Sequence, residues 1–332
     1  MTANSSRKPI GIGPRRLTHA NLFVGNLDRS MQFYTQVCGF EEVFRELPFN
    51  AGFVSNGNSH HDVAVVEVTP TSPFTSDEQQ LFPDGFGTRP GLFHLGFEME
   101  NEAEVVNWYN RAKETGLKSL MTFDHRISRS VYFLDPDGNV LEYYADRTTD
   151  WRNIFNQAAA RNESITTQWI PGRETPSTDR NYAINPEIRR VSDAVFHAVK
   201  ISHAVLIVSD IEKSLAFYTE VAGLKEVSRT GTQFALLRGS CPGYDIGLLS
   251  DKRSPVGIHH IAFEIADEVD IARTESELQK RNIQIELRLD TDAKQSLFLM
   301  DPDNIRVELF AERANSVHRL SAMDAAPLAY LA

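Results

Sequence analysis

The chain is poor in cysteine, in basic charge and in long apolar runs. Its 332 residues include two cysteines, Cys38 and Cys241, which do not make a disulfide framework. The 34 basic and 45 acidic residues give a net charge of −11, which argues against the basic patch of a nucleic-acid-binding protein. No run approaches the roughly 20 apolar residues of a membrane span, and the basic start lacks the apolar segment of a secretory signal. We therefore expect a cytoplasmic protein that binds neither nucleic acid nor membranes.

What the chain does have is an internal repeat, which is the strongest single signal of architecture. Two sets of residues recur in the same order. The first set is His19, Phe33–Thr35, Gly39, His94, Asp135–Asp137 and Glu142, and the second is His203, Phe217–Thr219, Gly223, His260, Asp301–Asp303 and Glu308. His19 and His203 are 184 residues apart, whereas His94 and His260 are 166 apart, so the first copy carries a net 18 extra residues.

Each copy contains two segments in which a strand pattern is followed by a helix pattern and further strands. The first of these helices follows an Asn or Asp suited to capping and ends at a Gly. A second helix is expected at about 102–115, with its partner at about 268–281. The sequence therefore predicts an α+β fold of tandem βαβββ modules, with four half-modules in all.

We expect these domain boundaries: a flexible tail over 1–16, a first domain over 17–147, a linker over 148–199, a second domain over 200–313 and a C-terminal tail over 314–332. The Asn185-Pro186 pair and the apolar spacing after it predict a connecting helix at the end of the linker.

The extra residues of the first copy map to about 70–90. The aromatic residues Phe74, Phe82 and Phe86 favour a packed lid or a subunit contact there, and a plain surface loop is the alternative.

The recurrence of two histidines and one glutamate predicts a metal centre. Two imidazoles and one carboxylate with open coordination positions suit a non-haem Fe(II) site, and Mn(II) accepts the same ligands. A lone histidine in a strand is more often a core or surface residue, but three potential ligands that recur together favour metal binding. We predict one site at His19, His94 and Glu142. A second, less strongly indicated site comprises His203, His260 and Glu308.

These residues make the chain resemble the vicinal oxygen chelate superfamily, which includes glyoxalase I, fosfomycin-resistance proteins and type I extradiol dioxygenases. Three features of the first copy are similar to the catechol 2,3-dioxygenase branch. They are the run His-Asp-Val-Ala over 61–64, the Asp-His-Arg-Ile-Ser loop over 124–128, and Tyr132 followed by Asp-Pro-Asp-Gly and the ligand Glu142. The resemblance implies two open-barrel domains. The three features just named are in the first copy, so we expect the catalytic site there, although in many two-module extradiol enzymes the second module is the active one.

The resemblance also implies roles for three residues. His61 would face oxygen and deliver a proton, Tyr132 would hydrogen-bond the substrate oxygen that is deprotonated on binding, and His125 would be a second polar contact to substrate. The alternatives are a solvated strand end at His61, a core aromatic at Tyr132 and a polar surface loop at His125. The second copy has Tyr244 and Phe298 at the positions of His61 and Tyr132, so we expect turnover in the first copy.

The expected function is that of an Fe(II)-dependent extradiol dioxygenase, which cleaves a catechol-like aromatic diol with O2. A homo-oligomer is expected from the edge strands and the Phe-rich loop. The rival enzyme is a metal-dependent isomerase or lyase of glyoxalase type, which needs a Glu or Gln base. The non-enzymatic rival is a small-molecule-binding protein, against which the complete ligand set argues.

Overall fold

The computed structural model describes residues 10–71, 82, 85–266, 271–313 and 330, and only the backbone of residues 271 and 272. The described chain forms two curled mixed sheets with few helices, one from each copy of the repeat. We call them module one and module two. Among the described residues, no helix is long and apolar enough to cross a membrane.

Module one is a nine-stranded sheet built from two half-modules and a short strand of the linker. The first half contains β1 (Arg16–Val24), α1 (Leu27–Gln32), β2 (Glu42–Glu46), β3 (Ala51–Val54) and β4 (Val63–Glu67). The second half contains β5 (Gly91–Glu98), α2 (Glu102–Glu114), β6 (Thr122–Asp124), β7 (Ser128–Leu134) and β8 (Val140–Asp146). The linker provides α3 (Trp151–Arg161) and β9 (Thr167–Gln168). The order across the sheet is β2-β3-β4-β1-β5-β8-β7-β6-β9.

Module two repeats this arrangement in an eight-stranded sheet. Its elements are β10 (Ala198–Ile207), α4 (Ile211–Ala216), β11 (Lys225–Thr230), β12 (Phe234–Arg238), β13 (Ile246–Leu249), β14 (Gly257–Ile265), α5 (Ile271–Lys280), β15 (Ile285–Asp290), β16 (Lys294–Met300) and β17 (Arg306–Glu312). The order is β11-β12-β13-β10-β14-β17-β16-β15, which matches that of module one without β9. The predicted α+β fold with four βαβββ half-modules is thereby confirmed.

The pairing of the half-modules brings the centres of three strands together. β1 and β5 are antiparallel neighbours, with His19 opposite Gly96. β5 and β8 are parallel neighbours, with Gly96 beside Glu142. β7 and β8 form the predicted hairpin, in which Tyr132 lies opposite Glu142. Because successive side chains of a strand alternate between faces, this register collects the predicted site residues in the middle of one sheet.

Hydrogen bonds between the repeated motifs connect the two modules. The hydroxyl of Tyr34 donates to Asp301 at 3.0 Å, and that of Tyr218 donates to Asp135 at the same distance. The backbone N–H of Ile201 likewise donates to Asp62, as that of Leu17 does to Asp245. The recurring Phe-Tyr-Thr and Asp-Pro-Asp motifs therefore join the modules, and one apolar core continues across both.

The linker differs from the prediction of a connecting helix after Asn185. The described helix of the linker is α3, whereas residues 181–197 have no regular helix. The backbone N–H groups of Val195, Phe196 and Ala198 donate instead to the carbonyl groups of residues 36–38. The apolar spacing gave no sign of these external partners, which satisfy the backbone without a helix.

The segment before β1 is also packed from its first described residue. Ile10 is buried, and its N–H donates to the carbonyl group of Glu220 in module two. Arg15 forms an ion pair with Glu98. Residues 10–16 therefore do not belong to a flexible tail as expected, because they fill the junction between the modules. Residues 1–9 and all of the predicted C-terminal tail except Tyr330 lie outside the described residues.

The extra segment of the first copy is described only in part, and Phe74 lies outside the described residues. Phe82 is buried in a cluster that includes Met121, Tyr132 and Val140. Its ring stacks on that of Phe86 with 4.7 Å between the centroids. These aromatic side chains therefore form an apolar wall next to Tyr132.

Candidate metal centre

Module one brings its three predicted ligands together at the centre of the sheet. A carboxylate oxygen of Glu142 lies 2.8 Å from Nε2 of His19 and 3.0 Å from Nε2 of His94. The three side chains are buried, and the atoms they could offer to a metal ion all lie within 4.8 Å of one another. The sequence-predicted set thus forms one compact cluster.

The protonation states of this cluster suit a divalent cation. Burial lowers the pKa of His19 to about 4 and so favours the neutral imidazole that binds metal. Burial alone would raise the pKa of Glu142, but the contacts with His19 and His94 hold it well below its usual range. The cluster therefore offers two imidazole nitrogens and one carboxylate, which is the donor set of a non-haem iron or manganese centre.

A buried atom without a hydrogen-bond partner supports the fit. Nε2 of His94 is close to Glu142, but it makes no hydrogen bond with any residue that the structure describes. A buried polar atom left unsatisfied is costly unless an ion, a water molecule or a ligand contacts it. A divalent metal ion held by His19, His94 and Glu142 would supply that contact.

Glycine at position 96 makes room for the first ligand. A Cβ atom built on Gly96 would lie 1.9 Å from Nε2 of His19, far inside van der Waals contact. The imidazole of His19 therefore lies in space that any other residue on β5 would fill. A glycine within a strand is the signal that could have revealed this close approach.

Tyr132 and His125 form a polar pair beside His94. The ring of Tyr132 lies edge-on to that of His94, with 5.2 Å between the centroids. Nε2 of His125 lies 3.2 Å from the Tyr132 hydroxyl, and Nδ1 of His125 lies 2.9 Å from Oγ1 of Thr166. His125 thus faces the site from its loop rather than lying free on the surface. Thr166, which belongs to the linker, was not predicted.

His61 lies against the other histidine of the cluster. It is buried, with its ring centroid 4.1 Å from that of His19. Its Nε2 lies 3.0 Å from Oδ1 of Asn21, and its Nδ1 has no hydrogen-bond partner in the described part of the chain. Asn21, two residues after His19 on β1, was missed because an asparagine in a strand carries no chemical signature by itself.

His60 belongs to the same region but is held by another residue. Its Nδ1 lies 2.9 Å from Asp146, and it joins His19 and His61 in a second group of close nitrogens. Burial opposes its charge, yet Asp146 raises the pKa of His60 above its usual value. The neighbours His60 and His61 are therefore both buried, and neither is a solvated strand end.

Module two places its three residues in an equivalent cluster. Nε2 of His203 and Nε2 of His260 lie 3.4 and 3.5 Å from the same oxygen of Glu308. All three side chains are completely buried. The surrounding groups differ, since the ring of Tyr244 lies tilted against that of His203, with 4.6 Å between the centroids, and Phe298 contacts His260 edge-on. Lys294, which was not predicted, forms a buried ion pair with Glu308.

Comparisons of the sequence with known proteins give relatives that include dioxygenases and lactoylglutathione lyases. The chain is 29% identical over 220 residues to the catechol-2,3-dioxygenase of Bacillus subtilis (strain 168). The aligned region covers 66% of this chain and 68% of that protein. It is 24% identical over 340 residues to the lactoylglutathione lyase of Schizosaccharomyces pombe, which covers 90% of this chain and 97% of that protein.

Solved structures share the fold at lower sequence identity. A variant of homoprotocatechuate 2,3-dioxygenase from B. fuscum superposes with a TM-score of 0.65 at 17% identity, over 93% of this chain and 76% of that one. The Mn(II)-bound glyoxalase from Novosphingobium aromaticivorans superposes with a TM-score of 0.64 at 16% identity, over 91% of this chain and 83% of that one.

A sequence profile matches both modules, over residues 16–143 and 200–309. The chain therefore belongs to the Glyoxalase/Bleomycin resistance protein/Dioxygenase superfamily.

Proposed function

We propose that module one is the active site of an Fe(II)-dependent extradiol dioxygenase, with Mn(II) as the alternative ion. The observation that carries the proposal is the grouping of His61, His125 and Tyr132 around the cluster of His19, His94 and Glu142. Bound iron would supply a Lewis acid that holds both oxygens of an aromatic diol and admits O2 beside them. In the overall reaction, the ring bond next to the diol breaks and both atoms of O2 enter the product, so no external reductant is needed.

We propose that Tyr132 and His125 receive the proton that a diol releases on binding, because their side chains are in contact beside His94. Burial, followed by the negative charge of Glu142, raises the pKa of Tyr132 well above its usual value, so its hydroxyl remains a donor. Burial lowers the pKa of His125 to about 4, which keeps this imidazole neutral. We assign the tautomer in which Nδ1–H donates to Thr166 and Nε2 accepts from Tyr132. A proton from the substrate can then pass along this pair.

His61 is suited to exchange a proton on the side of His19. The contact with the Asn21 carbonyl oxygen assigns the proton to Nε2, which leaves Nδ1 as the basic nitrogen. Burial lowers the pKa of His61 well below its usual value, so the imidazole is neutral before reaction. We propose that His61 takes up a proton and returns it to the reacting oxygen. This role comes from the family resemblance, and it is supported by Nδ1, which has no hydrogen-bond partner among the described residues.

The second candidate is an isomerase of glyoxalase type. The similarity to a lactoylglutathione lyase over nearly the whole chain favours it. Such an enzyme needs a Glu or Gln base beside the metal ligands, whereas the described rings that contact the ligand imidazoles include those of Tyr132, Tyr144, His60 and His61. We therefore place the dioxygenase first.

The test is a paired assay of protein reconstituted anaerobically with Fe(II) or Mn(II). Catechol under air should give a yellow ring-opened product with matching uptake of O2, and the hemithioacetal of methylglyoxal and glutathione should give no lactoylglutathione. His61→Phe should keep the metal and lower turnover by about 100- to 10,000-fold, which is the usual cost of losing a positioned acid–base group. Formation of lactoylglutathione without O2 uptake would establish the isomerase instead.

A further inference from the structure

The second cluster, made of His203, His260 and Glu308, contains a cation that belongs to the protein. Lys294 is 2% exposed, and its Nζ lies 2.7 Å from one carboxylate oxygen of Glu308. The two histidines approach the other oxygen of the same carboxylate. Among the described residues, the ion pairs of the corresponding Glu142 involve only His19 and His94.

The position of the lysine within the strand shows how module two differs. Lys294 lies opposite Glu312 in the β16–β17 hairpin, and Ser128 lies opposite Asp146 in the equivalent β7–β8 hairpin. Lys294 therefore takes the place of Ser128, which is also buried. A short hydroxyl side chain in module one is thus replaced by a long cationic one whose end reaches the carboxylate of the cluster.

An aromatic ring lies next to the ammonium group. Nζ of Lys294 lies 5.4 Å from the centroid of the Phe310 ring, within the range of a cation–π contact. The ring of Phe298 contacts that of His260 edge-on, and the ring of Tyr330 contacts Phe298 edge-on in turn. A buried charge has to be paired, and here Lys294 and Glu308 neutralise each other. Like Nε2 of His94 in module one, Nε2 of His203 and Nε2 of His260 have no hydrogen-bond partner among the described residues, so it is the charge of Lys294 that distinguishes the two clusters.

We propose that Lys294 replaces the metal ion of module two, so that this module is a metal-free copy of the site. A divalent ion bound to His203, His260 and Glu308 would lie next to the ammonium group, and the one carboxylate could not balance both cations. The chain then binds a single catalytic metal ion, in module one. The inference rests on the proposed function only for that last statement.

The test measures Co(II) binding to module two in a full-length chain whose first site is removed. The parent variant carries His19→Ala and Glu142→Ala, and the test variant adds Lys294→Ser, which introduces the residue of module one. Equilibrium dialysis should give no bound Co(II) for the parent and about one per chain for the test variant. Added Co(II) should raise the melting temperature of the test variant only, since a ligand stabilises the state that binds it.

A matched variant separates the charge from the loss of side-chain volume. Lys294→Gln keeps a polar side chain of similar length without the positive charge, and it should also bind Co(II) in the parent background. If the serine variant does not fold, Co(II) binding by the glutamine variant decides the question. Co(II) bound by the parent and lost on His260→Ala would overturn the proposal. Absence of Co(II) from a folded serine or glutamine variant would overturn it as well.

The outcome does not depend on the reaction catalysed by module one. In the chain with both modules intact, Lys294→Ser should raise the Co(II) content from about one to about two per chain. If module one bound no metal, these values would fall to zero and about one, and the difference between the two chains would remain. A failure of the proposed function and a failure of this inference therefore give different results.

Discussion

Replacement of Gly96 by alanine tests whether the position of the His19 imidazole determines metal binding. The added Cβ would lie 1.9 Å from Nε2 of His19 and 2.0 Å from its Cε1. Because ordinary contact begins at 3.4 Å, the ring or strand β5 must move by about 1.5 Å, the difference between the two distances. Metal–ligand distances have to be held within about 0.2 Å, so this displacement is far larger than the site can accept.

We expect Gly96→Ala to lose at least about 10-fold in metal affinity and at least about 100-fold in turnover, since a misplacement of about 1 Å in an active site can cost that much. The overpacking should also lower the free energy of unfolding by about 1–3 kcal/mol. The assay combines metal analysis after dialysis, steady-state turnover and a urea unfolding curve.

Gly247→Ala is the matched control, because it also adds a methyl group to a buried strand. Its Cβ would meet side-chain atoms of Val205 and Phe234 in module two and no metal ligand. It should change stability without changing the metal content of module one. A folded Gly96→Ala protein with unchanged metal affinity and turnover would refute the reasoning. Module two has an alanine at the equivalent position, since Ala262 lies opposite His203, and there Nε2 of the histidine lies 3.4 Å from its glutamate instead of the 2.8 Å of module one. The loss expected for Gly96→Ala therefore comes from the present position of the His19 ring, and not from alanine as such.

Other contacts in the two modules give three further tests. Asn21→Ala should keep the metal but lower turnover by about 10- to 100-fold, because Asn21 bonds Nε2 of His61 and such orienting partners typically contribute that much. A kcat equal to that of the wild type, at unchanged metal content, would show that Asn21 does not position the imidazole of His61. Burial raises the pKa of Asp301 to about 6. As pH rises from about 4 to about 6, the free energy of unfolding of the wild type should therefore fall by about 3 kcal/mol relative to that of Asp301→Asn, with little change above that. Parallel curves of unfolding free energy against pH for the two proteins would contradict this. His203→Ala should keep near-normal turnover per folded protein, whereas His19→Ala should have almost none. The melting temperatures of both variants must be compared before their rates are compared. The reverse pattern of rates would move the active site to module two.

The ligand set could be predicted from the sequence because a repeat preserves register. His19, His94 and Glu142 recur at fixed offsets, and strands at matching positions of a repeated sheet converge on one place. The partnership of Tyr132 and Glu142 followed in the same way from the hairpin spacing, and the structure pairs them directly.

Other parts of the site could not be predicted, because they depend on contacts between distant segments. Thr166 reaches His125 from the linker, and Asp146 holds His60 across 86 residues of sequence. The importance of Lys294 becomes visible only when β16 is aligned with β7. The helix expected after Asn185 was wrong for a related reason, since apolar spacing does not reveal which backbone groups find partners in another element.

The most direct test of the account is the fate of isotopically labelled O2 in anaerobically prepared, Fe(II)-loaded protein. With a catechol substrate, we predict that each diol consumed takes up one O2 and that both labelled atoms appear in a ring-opened product. Glu142→Ala, which removes the carboxylate ligand of module one, should give neither bound iron nor product. Unlabelled product, or unchanged turnover in Glu142→Ala, would contradict an extradiol dioxygenase site in module one.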